Sequence, residues 1–200
     1  MKNLLKSDRI IVRFFGLYLL SLFLLFSSWF ISYHFLPDGL LRGRMALSNL
    51  AGDSAAFSLV LEFFKIFIIN TLGFFVIIAG NYILRVKYFA FGYLVPLAWT
   101  TLYGLILGTN SFAIQMTEKL APSWKVFMRS GPYEMMAAVL LAVATDKIAI
   151  NKSESFLKKS EAVPKSERDK LKKKNYFAII ISFLILAAAA WREAYMIFQF

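Results

Sequence analysis

"FSLVLEFFKIFIINTLGFFVIIAGNYIL" (57–84) is separated by only "RVK" (85–87) from "YFAFGYLVPLAWTTLYGLILG" (88–108). Each block reaches the roughly 20 apolar residues that a helix needs to cross a bilayer. A three-residue link leaves no room for a domain between them. The pair is therefore expected to form an antiparallel helical hairpin within a membrane. Pro96, inside the second block, is expected to kink it.

The same pattern extends outward in both directions. Residues 10–36 are a further apolar block behind Lys2, Lys6, Arg9 and Arg13. The block is longer than a signal-peptide core, and "SYHFLPDG" carries no small-x-small cleavage site, so an uncleaved anchor is expected. Residues 132–150 and 176–198 complete five candidate spans. Two mixed segments, 37–57 and 109–131, have apolar residues at helical spacing, among them Leu40, Leu41, Met45, Leu47 and Leu50 in the first. Each is expected to lie on the membrane surface as an amphipathic helix. Residues 151–175 are polar and lysine-rich, and read as a solvated basic loop, helical around 166–174. The fold class expected is all-α: one polytopic helical bundle spanning residues 1–200.

Composition points the same way. The 200 residues are 59% hydrophobic and 17% aromatic, beyond what a soluble surface can hide. There is no Cys, which excludes disulfides, thiolate nucleophiles and Cys-ligated metals. The net charge of +11 is placed between apolar blocks, where a membrane protein carries its anchors, and does not call for nucleic acid. With the N-terminus inside, 16 Lys and Arg flank the spans on the inner side and 6 on the outer side. That bias sets the orientation expected, N-inside and C-outside, in a plasma membrane, and a prokaryotic inner membrane above others. The partners this points to are the bilayer, other membrane subunits or further copies of the chain, and anionic lipid at the basic loop.

Catalytic groups are few. His34 is the single histidine, at the outer end of the first block beside Tyr33, and no motif supplies it with a nucleophile. There is no G-x-S-x-G, H-E-x-x-H or phosphate-binding loop. No enzyme activity, cofactor or metal is expected.

Polar residues within the apolar blocks are the sharper signal, because charge in hydrocarbon is costly and faces helices or water. Glu62 and Lys65 are three apart and suit an intrahelical ion pair, or a contact for another subunit. Asn70 and Asn81 suit hydrogen bonds between helices, Gly80 allows close approach, and Gly104 and Gly108 form a small-xxx-small face. "RSGPYEMMAAVLLAVATDKIAI" (129–150) has one carboxylate near each end, Glu134 and Asp146. Gly131 suits the N-cap, Pro132 the first helical position and Glu134 the third, where a carboxylate faces the helix dipole. Glu134 is thus read first as a helix cap.

The order of these features resembles the stage II sporulation protein M-like membrane protein family. Its members carry an apolar hairpin rich in Asn and Gly, then a His-Gly-x-aromatic-Glu-x-x-Ala motif opening a small-residue helix. Asn70, Gly80, Gly104 and Gly108 stand as the hairpin markers, and Gly131, Tyr133, Glu134 and Ala137 match the motif. The likeness covers about residues 57–150 and, more loosely, the last block. It departs at Ser130, where the family has His, which removes a titratable neighbour from Glu134. The resemblance implies a non-catalytic scaffold or assembly subunit of a membrane complex. The namesake works with peptidoglycan-degrading partners in endospore formation, and other relatives resemble accessory subunits of exporters. A transporter, exporter or channel subunit is the alternative reading, and an intramembrane enzyme the weaker one.

Overall fold

The computed structural model describes residues 5–44, 56–112, 117–128 and 131–199. Three helices run 25 residues or close to it: α1 (Ile10–Phe35), α2 (Leu59–Ile83) and, last in the chain, α6 (Lys173–Ile197). At 1.5 Å per residue each exceeds the roughly 30 Å of hydrocarbon. A 3-10 turn (Phe91–Tyr93) leads into α3 (Leu94–Thr109), and together they supply 19 residues of apolar helix. One turn, α4 (Trp124–Phe127), precedes α5 (Gly131–Ala144). Among the described residues four helices are therefore long and apolar enough to cross a membrane, and α5, at 14 residues, is a shorter apolar fifth.

The fourth expected span, 132–150, is thus cut short. α5 extends about 21 Å, and residues 145–150 turn instead of continuing the helix. It is also the core of the bundle. Ala137, Ala138, Val139, Leu141, Ala142, Val143 and Ala144 are all buried, with α1, α2, α3 and α6 around them. Small side chains let those helices close in, while large apolar ones such as Phe23, Phe75 and Leu184 point outward. Buried serines on α1 (Ser21, Ser28, Ser32) point inward, bonding to backbone carbonyls. An apolar exterior around such a core is what lipid demands.

Pro96, expected to kink this span, is the third residue of α3 and so falls in its first turn, where proline is tolerated. Asn110 closes α3 in the left-handed conformation (φ 50°).

The expected all-α class needs a further correction. A four-stranded sheet, ordered β2-β1-β3-β4, caps one end of the bundle. β1 (Leu84–Val86) and β2 (Phe89–Ala90) form a hairpin across the link between α2 and α3. β3 (Asn151–Ser153) pairs parallel to β1, and β4 (Glu161–Ala162) pairs antiparallel to β3. The basic loop is thus partly ordered as strand, and a 3-10 turn (Lys165–Glu167) is its only helical part before α6 begins at Lys173, three residues earlier than the expected span. The reason lies in backbone hydrogen bonding: the last turn of α2 leaves unpaired backbone groups, and the stretch after α5 supplies partners, beginning with Ile150 N–H to Tyr82 O (2.8 Å).

The opposite end is built from loops. Lys119 Nζ donates to Leu36 O (2.5 Å), Gly39 N to Thr109 O (2.7 Å) and Trp29 Nε1 to Leu120 O (2.7 Å). Of the two amphipathic helices expected here, most of the first falls at 45–55, outside the described residues. Its described start, 37–44, is turns, and among its described residues the second holds the single turn of α4.

Candidate functional site: polar clusters at the two ends of the central helix

A helix that stops inside the bundle must satisfy its last carbonyls without water. At the sheet end, three neighbouring elements do this for α5. Asn81 Nδ2, on α2, donates to Ala142 O (2.8 Å) and to Thr145 Oγ1 (2.7 Å). Asn175 Nδ2, on α6, donates to Ala144 O (2.7 Å). Arg13 Nη2, on α1, donates to Val143 O (3.1 Å) and pairs with Asp146 Oδ1 (3.1 Å). Tyr93 OH completes the set by donating to Asp146 Oδ2 (3.2 Å). Arg13 and Asp146 are 3% and 1% exposed, so this ion pair is shielded from water. Asn81 also accepts from Gly92 N (3.0 Å), tying the hairpin turn to the same point. Gly80 permits that approach, since a Cβ there would lie 2.9 Å from Gly92 Cα.

Asn81→Ala removes three buried hydrogen bonds at once. It is expected to lower stability by about 1–3 kcal/mol, because the freed carbonyl of Ala142 has no water to turn to. Thermal unfolding in detergent checks this, with Asn151→Ala, whose bond to Ile83 O is exposed, as the comparison expected to stay near wild type.

At the loop end the start of α5 meets α2 and α6. Asn70 Nδ2 donates to Glu134 Oε1 (2.6 Å), and the carboxyl of Glu193 lies beside that of Glu134. Glu62 is buried, accepts from Ala56 N (2.6 Å) and pairs with Lys65 (3.5 Å), and its charge reaches Glu193. The Arg192 guanidinium lies over the Tyr133 ring, 5.3 Å from its centre. On its other side Glu134 borders a cavity of about 20 Å³, lined also by Tyr103, Trp99 and Thr100. That is room for one water.

Gly131 is itself helical and not the N-cap; Glu134 lies in the first turn of α5, as expected of a capping carboxylate, and it also accepts from Asn70 on α2. Gly131 has a packing reason instead: a Cβ there would collide with Cε1 of the Tyr103 ring. Ser130 lies outside the described residues. Gly104 and Gly108 seat α3 on the serine face of α1, where a Cβ on either would run into Ser28 Oγ or Ser32 Oγ.

The candidate residues therefore divide between the two ends. Glu134, Tyr133, Glu62, Lys65 and Asn70 gather at the loop end, and Asn81, Gly80 and Asp146 at the sheet end. Arg13, Tyr93, Asn175, Arg192 and Glu193 belong to these clusters and are absent from the residues singled out by sequence. For Arg13 and Glu193 a signal was present, a charge inside an apolar run. His34 is exposed, with its ring against Phe30 (4.5 Å). Among the described residues no three His, Cys, Asp or Glu side chains are grouped as a metal site.

Spanning helices with an apolar exterior, polar groups turned inward and a short helix held by its ends make this a helical membrane protein. No protein-family model, curated protein or solved structure matches the chain.

Proposed function

We propose that this chain is a non-catalytic scaffold or assembly subunit of a larger membrane complex, similar to stage II sporulation protein M-like proteins. It is read as residing in a prokaryotic inner membrane with the N-terminus inside, the sheet and basic loop on the cytoplasmic side, and five passes, α5 being the short one. The observation that carries this reading is the use made of the buried polar side chains at the sheet end. Arg13, Asn81, Tyr93, Asp146 and Asn175 are all engaged in fastening three helices and the turn before α3 to the end of α5. Groups committed to rigidity suit a platform better than a reacting centre. The test is purification from native membranes in mild detergent after light cross-linking. A stoichiometric membrane or extracytoplasmic partner is expected; a chain that runs alone at every cross-linker dose sinks the reading.

A transport subunit is the second reading, and the loop-end cluster favours it. Glu62, Glu134 and Glu193 lie together there, with a water-sized cavity beside Glu134. Carboxyls buried within an apolar layer are the kind of group a cation path uses. In liposomes that show flux, Glu134→Gln is expected to reduce it at least tenfold on this reading. Flux unchanged in both Glu134→Gln and Glu62→Gln removes the cluster from any path.

A further inference from the structure

β1 continues directly from the last turn of α2, and β3 follows the end of α5 after a short turn, so the sheet lies where the chain leaves the apolar layer. In the parallel β1–β3 ladder Arg85 is paired with Lys152. Residues paired in a ladder project from the same face, so two cations stand side by side. Like charges in that relation destabilise a sheet unless an anion lies between or above them. Lys152 has carboxylates to turn to, Glu161 across the β3–β4 ladder and Asp169 at 3.4 Å. Arg85 makes no ion pair among the described residues, and its Nε is buried without a hydrogen-bond partner. Asp146, whose charge interacts with Arg85, is already held by Arg13.

Above this pair the β3–β4 loop encloses an open concavity of about 990 Å³. Five basic and three acidic side chains line it, a net charge of +2. Lys158 is taken up by Glu154, whereas Lys87 and Lys159 have no carboxylate partner among the described residues. The same loop exposes Phe156 and Leu157, 69% and 100% accessible, with Phe156 resting 6.0 Å from the Phe89 ring on β2. Basic side chains beside exposed apolar ones at the edge of an apolar layer match the surface of an anionic leaflet. A soluble anion has no use for Phe156 and Leu157.

We infer that this concavity binds the phosphate of an anionic phospholipid headgroup, with Arg85 and Lys152 as its floor and Phe156 and Leu157 dipping among the acyl chains. The inference is independent of the scaffold reading. It locates lipid binding at a point that joins two segments 67 residues apart in the chain, beyond the diffuse attraction of a lysine-rich loop.

The test uses the full chain in nanodiscs of phosphatidylcholine containing a minor fraction of phosphatidylglycerol, with retained lipid counted by native mass spectrometry. Wild type is expected to retain phosphatidylglycerol preferentially. Arg85→Gln/Lys152→Gln is expected to lower that preference about fivefold per charge removed. Lys170→Gln/Lys172→Gln, in the same loop but outside the concavity, is expected to change it less than twofold. Equal losses in the two variants overturn the site in favour of diffuse attraction. Should Arg85→Gln/Lys152→Gln fail to fold, Lys87→Gln/Lys159→Gln, both exposed, makes the same measurement, and an unchanged preference there overturns the site as well. Inorganic phosphate added to protein in pure phosphatidylcholine separates the two sources of the anion. A thermal shift equal to that from phosphatidylglycerol overturns the lipid assignment.

Discussion

Arg13→Met is expected to destabilise the protein by about 3–5 kcal/mol, the largest loss of any single polar substitution considered. The guanidinium is buried, and it neutralises Asp146 while holding Val143 O and Ser7 O. Without it a carboxylate is left in an apolar core with Tyr93 as its hydrogen-bond partner. The penalty comes from that uncompensated charge more than from the lost attraction. Arg13→Met/Asp146→Leu is therefore expected to unfold at a higher temperature than Arg13→Met, although Tyr93 then lacks an acceptor. Circular dichroism melts in a single detergent decide it. A double variant as unstable as Arg13→Met contradicts a penalty that arises from the stranded charge.

Gly104→Ala and Gly108→Ala come next, at about 1–3 kcal/mol each. The new methyl at 104 would lie 2.5 Å from Leu25 O and 3.0 Å from Trp29 N, and that at 108 would lie 2.6 Å from Tyr33 N. These are backbone atoms of α1, so α1 and α3 must separate. Removing the serine hydroxyls with Ser28→Ala/Ser32→Ala is expected to give no rescue, since the backbone contacts persist. If Gly104→Ala melts with wild type, or if the serine changes restore it, α1 and α3 are not in close backbone contact.

The spanning helices were legible because a run of about 20 apolar residues fits a bilayer and little else. Alternation of the helices was equally accessible, since links such as 85–87 admit nothing but a reversal. The sheet was not. Its strands are two or three residues long, and β1 pairs with a segment more than sixty residues away, so no local pattern announces it. The length of α5 was also hidden, because "ATDKIAI" (144–150) reads as a continuing apolar helix. It ends at Ala144, where Arg13, Asn81 and Asn175 arrive from other helices and take its carbonyls. Glu134 shows the same limit in reverse. Its position near a helix start makes a cap sufficient on local grounds, and nothing local announces that Asn70, from another helix, bonds the same carboxylate.

By itself, then, the amino-acid sequence determined the solvent of this protein, the positions of its long helices and the residue types that must be turned inward. Hydropathy is a sum over neighbours along the chain, and those properties need nothing more. Which inward polar residues meet, that α5 is a short central helix, and that Arg85 stands beside Lys152 were decided by tertiary structure alone. Hydrogen bonds and ion pairs depend on distances of about 3 Å between groups far apart in sequence, and only the packed bundle sets those.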